Sequence, residues 1–389
     1  MPERVAIVGI GQTEHKFIRS DVTHGELISE AVRKALEDAQ ITLNDIDAVV
    51  NGHMDLFEGN YLADAAFVDE GGMLLKPGFR MNTGGTIGST TVVTGFHHVA
   101  SGLFGTTLVI GWQKQDAGPS VSALTTTREP FYDRGWAAGA VGVMATMGLT
   151  YLNNNPGCKE EHAALARVIM GDNASRNPYA HLRQKLTVEE VMNSRVIVWP
   201  CRLLNMSPTS CGAVAMVLAN EERARKITNK PVWISDVETR HRENATFRGG
   251  CVEPVPGTLA IESASINLYK RNGITNPAKE IDVWELYIPS SWALFPFLEW
   301  HHVCGEGEAW KLVERETIRI EGDIPVDPSG GVVCTNAIGG SGMMRVAEAA
   351  LQIRGDAGEH QVTRKVEKAV SAGWGAAHWS VMFLLSKSI

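Results

Sequence analysis

The sequence has no long basic run and no long apolar run, and each absence excludes a class of partner. The chain of 389 residues carries a formal net charge of −8, and without a basic patch it is not expected to bind nucleic acid. No apolar segment reaches the roughly 18 residues that a membrane-spanning helix needs. Met1 to Val5 lead into a predicted strand without the charged-then-apolar pattern of a signal peptide. We therefore expect neither a membrane span nor secretion.

Cysteines are few, and none is arranged as a pair or a CxxC motif. Scattered single thiols are typical of proteins in a reducing compartment and match no zinc pattern. The sequence therefore predicts free thiols, no metal site and a cytoplasmic location. The cysteines are Cys158, Cys201, Cys211, Cys251, Cys304 and Cys334.

Glycine, in contrast, is concentrated in two loops that each precede a predicted helix. The first loop, 80–91, contains Gly84, Gly85 and Gly88, and the second, 330–345, has the same order of glycines followed by an apolar-periodic run. The first amides of a helix are unpaired and carry a partial positive charge, so either loop could stabilise a carbonyl oxygen or an oxyanion. One such loop alone would indicate only a turn, but a second copy favours a functional role.

The two loops belong to a longer duplication, which is the strongest architectural signal in the chain. Each half has a buried strand, an amphipathic helix, a second strand, a glycine loop with its helix, and a closing strand. We predict an α/β fold of two βαβαβ halves, residues 1–230 and 231–389, with a loop and helical insertion at about 113–200. The matching segments are Val5–Ile10 with Val232–Val237, Glu26–Ala39 with Ser263–Asn272, Ile46–Val50 with Ile281–Leu286, and Thr106–Trp112 with Ala369–Leu385.

Two further segments carry definite expectations. Gly135–Met147 is rich in small apolar residues, which predicts a tightly packed helix that does not face solvent. Glu314–Glu321 places Ile318 and Ile320 at alternate positions after a charged start, and we predict a strand on the surface.

Taken as a set, the motifs of the chain resemble the thiolase superfamily, most closely its sterol-carrier or lipid-transfer branch. The resemblance covers essentially the whole chain and implies the thiolase fold, in which the duplicated βαβαβ halves form a five-layer αβαβα core. It also implies a coenzyme A thioester as substrate and no covalently bound cofactor. The motifs are Asn177-Pro178, Ser210–Ala215, Glu285-Leu286-Tyr287, Gly305–Gly307, Val326–Gly331, Thr335–Gly342 and Gly373–Gly375.

The departures from the family pattern concern catalysis. The position of the nucleophilic cysteine of thiolases is occupied by Gly85, or at most Thr86. Tyr287 stands where the lipid-transfer type has a histidine, and Asn336 lies where the second loop has a Gly-His-Pro motif. The covalent mechanism, in which a thiolate is activated by a loop histidine, therefore lacks its nucleophile and its base.

Four side chains could carry the chemistry of such an altered site. Tyr287 could donate or accept a proton, Asn336 occupies the motif position of the second loop, and His378 could transfer protons. Cys334 could act as a displaced nucleophile if its thiol pKa is depressed. Each also has a purely structural interpretation, as a packed ring, a core histidine or a small buried hydrophobe. The predicted oxyanion and substrate-binding positions are Gly84, Gly85, Thr86, Gly339 and Gly340.

Members of the superfamily without the cysteine resemble retro-aldolases, which need no acyl-enzyme. The first hypothesis is therefore a lyase that cleaves a carbon–carbon bond of a β-hydroxyacyl-CoA, with a bulky or aromatic acyl group suggested by the aromatic stretch Trp292–Trp300. A thiolase that cleaves a β-ketoacyl-CoA with a displaced nucleophile, and a non-catalytic acyl-CoA or lipid-binding subunit, remain the alternatives. The resemblance further implies a homodimer through the first-half sheet and a small zinc-binding OB-fold protein as partner.

Overall fold

The computed structural model describes residues 2–59, 67–127, 130–131, 139–242, 259–375 and 379–389. His378 lies outside the described residues, as do residues 135–138 of the predicted small-residue helix. The strands are β1 (Val5–Gln12), β2 (Ala48–Gly52), β3 (Gly78–Met81), β4 (Thr106–Lys114), β5 (Val196–Val198), β6 (Cys201–Arg202), β7 (Cys211–Asn220), β8 (Val232–His241), β9 (Val283–Glu285), β10 (Lys368–Gly375) and β11 (Trp379–Ser386). The α-helices are α1 (His24–Ala39), α2 (Ile87–Ala100), α3 (Ser120–Thr125), α4 (Gly139–Asn154), α5 (Glu160–Arg176), α6 (Val188–Asn193), α7 (Glu221–Ile227), α8 (Ala260–Arg271), α9 (Pro277–Glu280), α10 (Leu294–Trp300), α11 (Ala309–Glu314), α12 (Gly331–Cys334) and α13 (Ile338–Arg354).

The sheet repeats its own topology, which confirms the predicted duplication. Nine strands pair in the order β3-β2-β4-β7-β1-β8-β11-β10-β9. In the first half β2 is parallel to β4, while β4 is antiparallel to β7 and β7 to β1. The second half has the same pattern, with β9 parallel to β10, β10 antiparallel to β11 and β11 antiparallel to β8. The halves join where Ala6 pairs with Trp233 and Ile7 with Val232.

Alternating side chains on the strands place helices on both faces of each half-sheet. Ala6 and Val8 of β1 pack with α1, whereas Val5 and Ile7 pack with α2 and α13. On β11, residues of one face pack with α8 and residues of the other face with α13. The layers are therefore α1, the first half-sheet, α2 with α13, the second half-sheet and α8, so the predicted αβαβα order is confirmed.

The two central helices touch at their first turns because glycines allow it. A Cβ on Gly88 of α2 would lie 2.5 Å from the backbone nitrogen of Met343, and one on Gly342 of α13 would overlap Ser89. Only glycine permits so close an approach of two helix backbones. The two glycine loops therefore meet at one place in the centre of the protein, as predicted.

Two predictions about local structure need correction. Residues 315–322 form turns rather than a surface strand. Ile318 and Ile320 point inward from these turns and are buried in the core, which accounts for their alternate spacing. The segment predicted as one closing strand from Ala369 to Leu385 is two antiparallel strands, β10 and β11. Helix α4 begins at Gly139 and buries Met144 and Met147, while Ala140 is exposed.

In the part of the chain that the structure describes, no helix combines the length and apolarity that crossing a bilayer requires. Over the same residues, no group of three or more histidine, cysteine, aspartate or glutamate side chains is arranged to hold a metal ion.

Candidate active site

The candidate site lies where the first turns of α2 and α13 meet, next to the end of β9. Tyr287 follows β9 by two residues and is only 5% exposed, and Asn336 precedes α13 by two residues. The Tyr287 hydroxyl donates to Asn336 Oδ1 over 3.4 Å. Two of the predicted catalytic residues, which are 49 positions apart in sequence, are thus brought into contact.

Asn336 is the centre of a hydrogen-bond network that fixes its side chain. Its Oδ1 also accepts a bond from Ser341 Oγ at 2.9 Å, and its Nδ2 donates to Ser207 Oγ at 3.1 Å. Its backbone nitrogen donates to Ser210 Oγ at 3.0 Å. Because both ends of the amide have partners, the side chain presents one defined oxygen to the Tyr287 hydroxyl.

His181 is a further polar residue of this network that the sequence interpretation did not single out. Its Nδ1 is 2.9 Å from Ser210 Oγ, and its backbone nitrogen donates to Thr335 Oγ1 at 2.9 Å. The imidazole is partly exposed, and burial of the remainder lowers its pKa. His181 follows the Asn177-Pro178 motif by three residues, so that motif was the sequence feature that could have led to it.

Burial reinforces the protonated state of the Tyr287 hydroxyl. It raises the pKa of the phenol well above its usual range, although the Arg345 guanidinium acts in the opposite direction. The hydroxyl is therefore protonated at neutral pH. Of the two roles considered for Tyr287, a protonated hydroxyl is compatible with that of a proton donor.

Cys334 lies in the hydrophobic core rather than at the helix junction. The residue is buried, and its Sγ is directed at the backbone oxygen of Met170 in α5, 3.5 Å away. Burial raises the pKa of the thiol, and a nucleophilic cysteine needs the opposite shift. This placement favours the structural interpretation of Cys334.

The amides of the second glycine loop already have protein acceptors. Gly339 N donates to Gln113 Oε1 at 3.1 Å, and Gly340 N donates to Ala337 O at 2.7 Å. The physical reason is that α13 opens with a tight turn and that Gln113, at the end of β4, reaches across from the first half. The predicted role of Gly339 and Gly340 as oxyanion-binding amides is therefore corrected, and both act in the contact between the halves.

Gln113 is itself held by a buried carboxylate. Its Nε2 lies 2.8 and 2.7 Å from the two carboxylate oxygens of Glu58, and Glu58 Oε1 also accepts from the Lys114 backbone nitrogen. Burial raises the pKa of Glu58 to about 7 despite these hydrogen bonds. Neither Glu58 nor Gln113 lies in a recognisable motif.

The first glycine loop forms the turn that opens α2. Gly84, Gly85 and Thr86 form a single 3₁₀ turn that leads directly into α2. Gly84 has a left-handed φ of 64° and faces open space, whereas a Cβ on Gly85 would lie 2.8 Å from the Trp374 carbonyl oxygen. The hydroxyl of the buried Thr86 donates to Thr83 O at 2.9 Å. These three residues remain the predicted oxyanion and substrate-binding positions.

A duplicated αβαβα core in which the two central helices begin at a shared site defines a thiolase-type protein. Residues 252–387 match the family described as "Thiolase C-terminal domain-like". The chain is 30% identical to the acetyl-CoA acetyltransferase of Methanothermobacter thermautotrophicus, over 92% of this chain and 93% of that protein. It is 28% identical to sterol carrier protein 2 of Oryctolagus cuniculus, over 96% of this chain and 70% of that protein. The chain belongs to the thiolase superfamily, as the motifs indicated.

Solved structures agree on the fold. The Ltp2-ChsH2(DUF35) aldolase superposes with a TM-score of 0.81 at 24% identity, with 99% of this chain and 98% of that chain covered. Human mitochondrial 3-ketoacyl-CoA thiolase gives a TM-score of 0.72 at 14% identity, with 99% of each chain covered.

Proposed function

We propose that the protein is an enzyme acting on coenzyme A thioesters and that it cleaves a β-hydroxyacyl-CoA by a retro-aldol reaction. The observation that carries the proposal is the pairing of a protonated Tyr287 hydroxyl with Asn336 at the helix junction, while Gly85 or Thr86 replaces the thiol of the first loop. Such a site can donate a proton to a developing enolate, but it has no thiol there to form an acyl-enzyme.

The reaction balances without an oxidant or a cofactor. A base removes the proton of the β-hydroxyl, the Cα–Cβ bond breaks, and its electron pair becomes the enolate of the shortened thioester. The β-carbon leaves as an aldehyde or ketone, and Tyr287 protonates the enolate at Cα to give an acyl-CoA. The proton held by the base then returns through solvent to the Tyr287 phenolate, which restores both groups. His181, which is neutral because burial lowers its pKa, and His378 are the candidates for the base.

Apolar residues beside the helix junction support an apolar acyl group. Ile87 and Ile338, the first residues of α2 and α13, form a buried cluster with Met54 and Phe57. The aromatic stretch behind the idea of an aromatic substrate belongs instead to the main core, where Trp292 Nε1 donates to Pro200 O at 3.2 Å. A bulky acyl group remains a prediction, and a series of substrates of increasing size tests it.

The proposed assembly is a homodimer in the cytoplasm with a zinc-binding OB-fold partner. Strand β3 is one of the two edge strands of the sheet and belongs to the first half, and edge strands readily pair. Phe79 on β3 and the nearby Leu74 and Leu75 are exposed apolar side chains that a second copy would cover. The similar Ltp2-ChsH2(DUF35) aldolase bears the names of two proteins, which agrees with a partner subunit. The unpaired cysteines of the described residues agree with a reducing compartment.

The names of two curated relatives favour thiolysis as the second candidate, since both are acetyl-CoA acetyltransferases. One experiment separates the candidates. Purified protein, alone and with a candidate partner, is incubated with β-hydroxyacyl-CoA or β-ketoacyl-CoA, with and without free coenzyme A. Cleavage of the hydroxyacyl substrate without added coenzyme A supports the lyase. Cleavage of the ketoacyl substrate that requires coenzyme A identifies a thiolase, and binding without turnover identifies a carrier.

A further inference from the structure

A buried charged cluster lies directly behind Tyr287 and has no part in the chemistry above. Glu285, the last residue of β9, forms an ion pair with Arg345 of α13, and both side chains are almost completely buried. Ser329 Oγ bridges them, 2.6 Å from Arg345 Nη1 and 2.9 Å from Glu285 Oε2. Together with Asp327, these residues are called the strand-end cluster.

Asp327 holds the backbone that leads into Tyr287. Its Oδ1 accepts from Leu286 N at 2.6 Å, and its own backbone nitrogen donates to Trp284 O at 2.7 Å. A Cβ on Gly331 would overlap the Asp327 carboxylate, so only glycine allows this loop to come so close. Asp327 therefore binds the backbone of both neighbours of Glu285, Trp284 and Leu286.

Arg345 connects this strand end to the helix that orients Asn336. It lies one turn after Ser341 on α13, and Ser341 donates to Asn336 Oδ1 at 2.9 Å. Tyr287 follows β9, and its hydrogen-bond acceptor Asn336 precedes α13. The Glu285–Arg345 ion pair therefore joins the two elements whose relative position sets the Tyr287–Asn336 contact. Burial raises the pKa of both Glu285 and Asp327, and Arg345 opposes that shift for each. Without the guanidinium, the two buried carboxylates would lose their common counter-charge.

We propose that Arg345, acting through Glu285 and Asp327, is a positioning residue that holds the Tyr287 hydroxyl against Asn336. The inference rests on the proposed function only in that Tyr287 is taken to be the proton donor. Arg345 itself contacts the Glu285 carboxylate and Ser329, and its charge also acts on Asp327. It therefore controls turnover by placing Tyr287, not by taking part in proton transfer.

The kinetic test is a double-mutant cycle between Arg345→Met and Tyr287→Phe. A displaced catalytic group can cost about 100-fold in rate, so we expect Arg345→Met to lower kcat by about that factor with KM nearly unchanged. In the Tyr287→Phe background, Arg345→Met should cause no further loss, because the group that it positions is gone. Equal losses in both backgrounds would refute the positioning role.

Glu348→Gln is the matched control on the same helix. Glu348 is buried, accepts from Gln12 Nε2 at 2.9 Å and contacts His360 Nε2 at 2.8 Å. Its hydrogen-bond partners thus lie outside the strand-end cluster, and it shares only a longer-range charge interaction with Glu285 and Arg345. We expect it to lower stability, and any effect on kcat should be the same with and without the Tyr287 hydroxyl.

A second readout needs no substrate and so separates this inference from the proposed function. Hydrogen exchange of a peptide covering residues 283–288 reports the Leu286 amide, which Asp327 protects. We expect Arg345→Met to speed that exchange by at least about tenfold and Glu348→Gln to leave it unchanged. Unchanged exchange in Arg345→Met would overturn the inference, whereas absent turnover with faster exchange would overturn only the proposed function. If Arg345→Met does not fold, Glu285→Gln, which keeps an acceptor for Ser329, is judged by the same criteria.

Discussion

Replacing Tyr287 by phenylalanine should remove the chemistry and leave the fold and substrate binding in place. The ring is buried and its packing is kept, so no cavity forms. Asn336 Oδ1 retains its bond from Ser341, and the lost bond, at 3.4 Å, is a long one. The free energy of unfolding should therefore fall by only about 0.5–1.5 kcal/mol, the net value of one hydrogen bond.

The expected loss of turnover is much larger than the loss of stability. A positioned general acid contributes about 10² to 10⁴ in rate, which corresponds to about 3 to 5 kcal/mol of activation free energy. The assay is steady-state cleavage of a β-hydroxyacyl-CoA without free coenzyme A, with substrate affinity measured separately by calorimetry. We expect kcat to fall by that factor and the dissociation constant to change little.

Tyr269→Phe provides the matched control. Tyr269 is equally buried, and its hydroxyl donates to the His301 backbone oxygen at 2.9 Å. This bond joins α8 to the residue that follows α10. Its removal should reduce stability, because a buried carbonyl loses its donor, without lowering kcat. Near-normal turnover in Tyr287→Phe, combined with loss of turnover in Asn336→Ala, would show that Tyr287 only packs and that the proton moves through the second glycine loop.

Three other outcomes are expected. Treatment with iodoacetamide should leave no label on residues 81–91, and no acyl-enzyme should form in the absence of coenzyme A; mass spectrometry that finds an acylated Cys334 would promote the thiolase with a displaced nucleophile. Glu58 keeps its proton up to about pH 7 in the native state, compared with 4.5 as its ordinary value, so the free energy of unfolding should fall as pH rises between these values, by at most about 3 kcal/mol. Denaturant unfolding at pH 5 and pH 8 should show this difference shrinking in Glu58→Gln, and an unchanged difference would contradict the assignment. Phe79→Lys should convert a dimer into a monomer by light scattering, whereas a monomeric unmodified protein with full activity would refute the proposed assembly.

Signals that depend on neighbouring residues could be interpreted from the sequence alone. Thr23 and Glu26 form a capping box at the start of α1, and Thr187 and Glu190 form one at the start of α6; each is a local four-residue pattern. The continuous apolar pattern of β1 predicted a strand buried on both faces, which the two core clusters confirm. Alternation misled where it arose in turns, as at Ile318 and Ile320, since inward-pointing turn residues produce the same period as a strand.

The hydrogen-bond partners in the site could not be predicted in this way. The Gly339 amide appeared to be free because its acceptor, Gln113, lies 226 positions away in the other half. Ser207 and His181 are single polar residues in loops, where no periodicity marks them. Contacts across the two halves are set by how the halves pack, and that packing depends on glycine contacts that become specific only in three dimensions.

Burial makes Tyr287 unsuitable as a base and leaves it protonated, as the acid of a lyase must be. A phenol whose pKa is raised stays protonated at all physiological pH values, so it can donate to an enolate without first acquiring a proton. The base must then be a group that is neutral at the same pH, and burial lowers the pKa of His181. The environment thus moves the pKa of Tyr287 up and the pKa of His181 down. One residue is then protonated and the other is neutral at the same pH, which is the division of roles that general acid–base catalysis requires. A thiolase site needs a thiolate instead, and neither the first glycine loop nor the buried Cys334 supplies one.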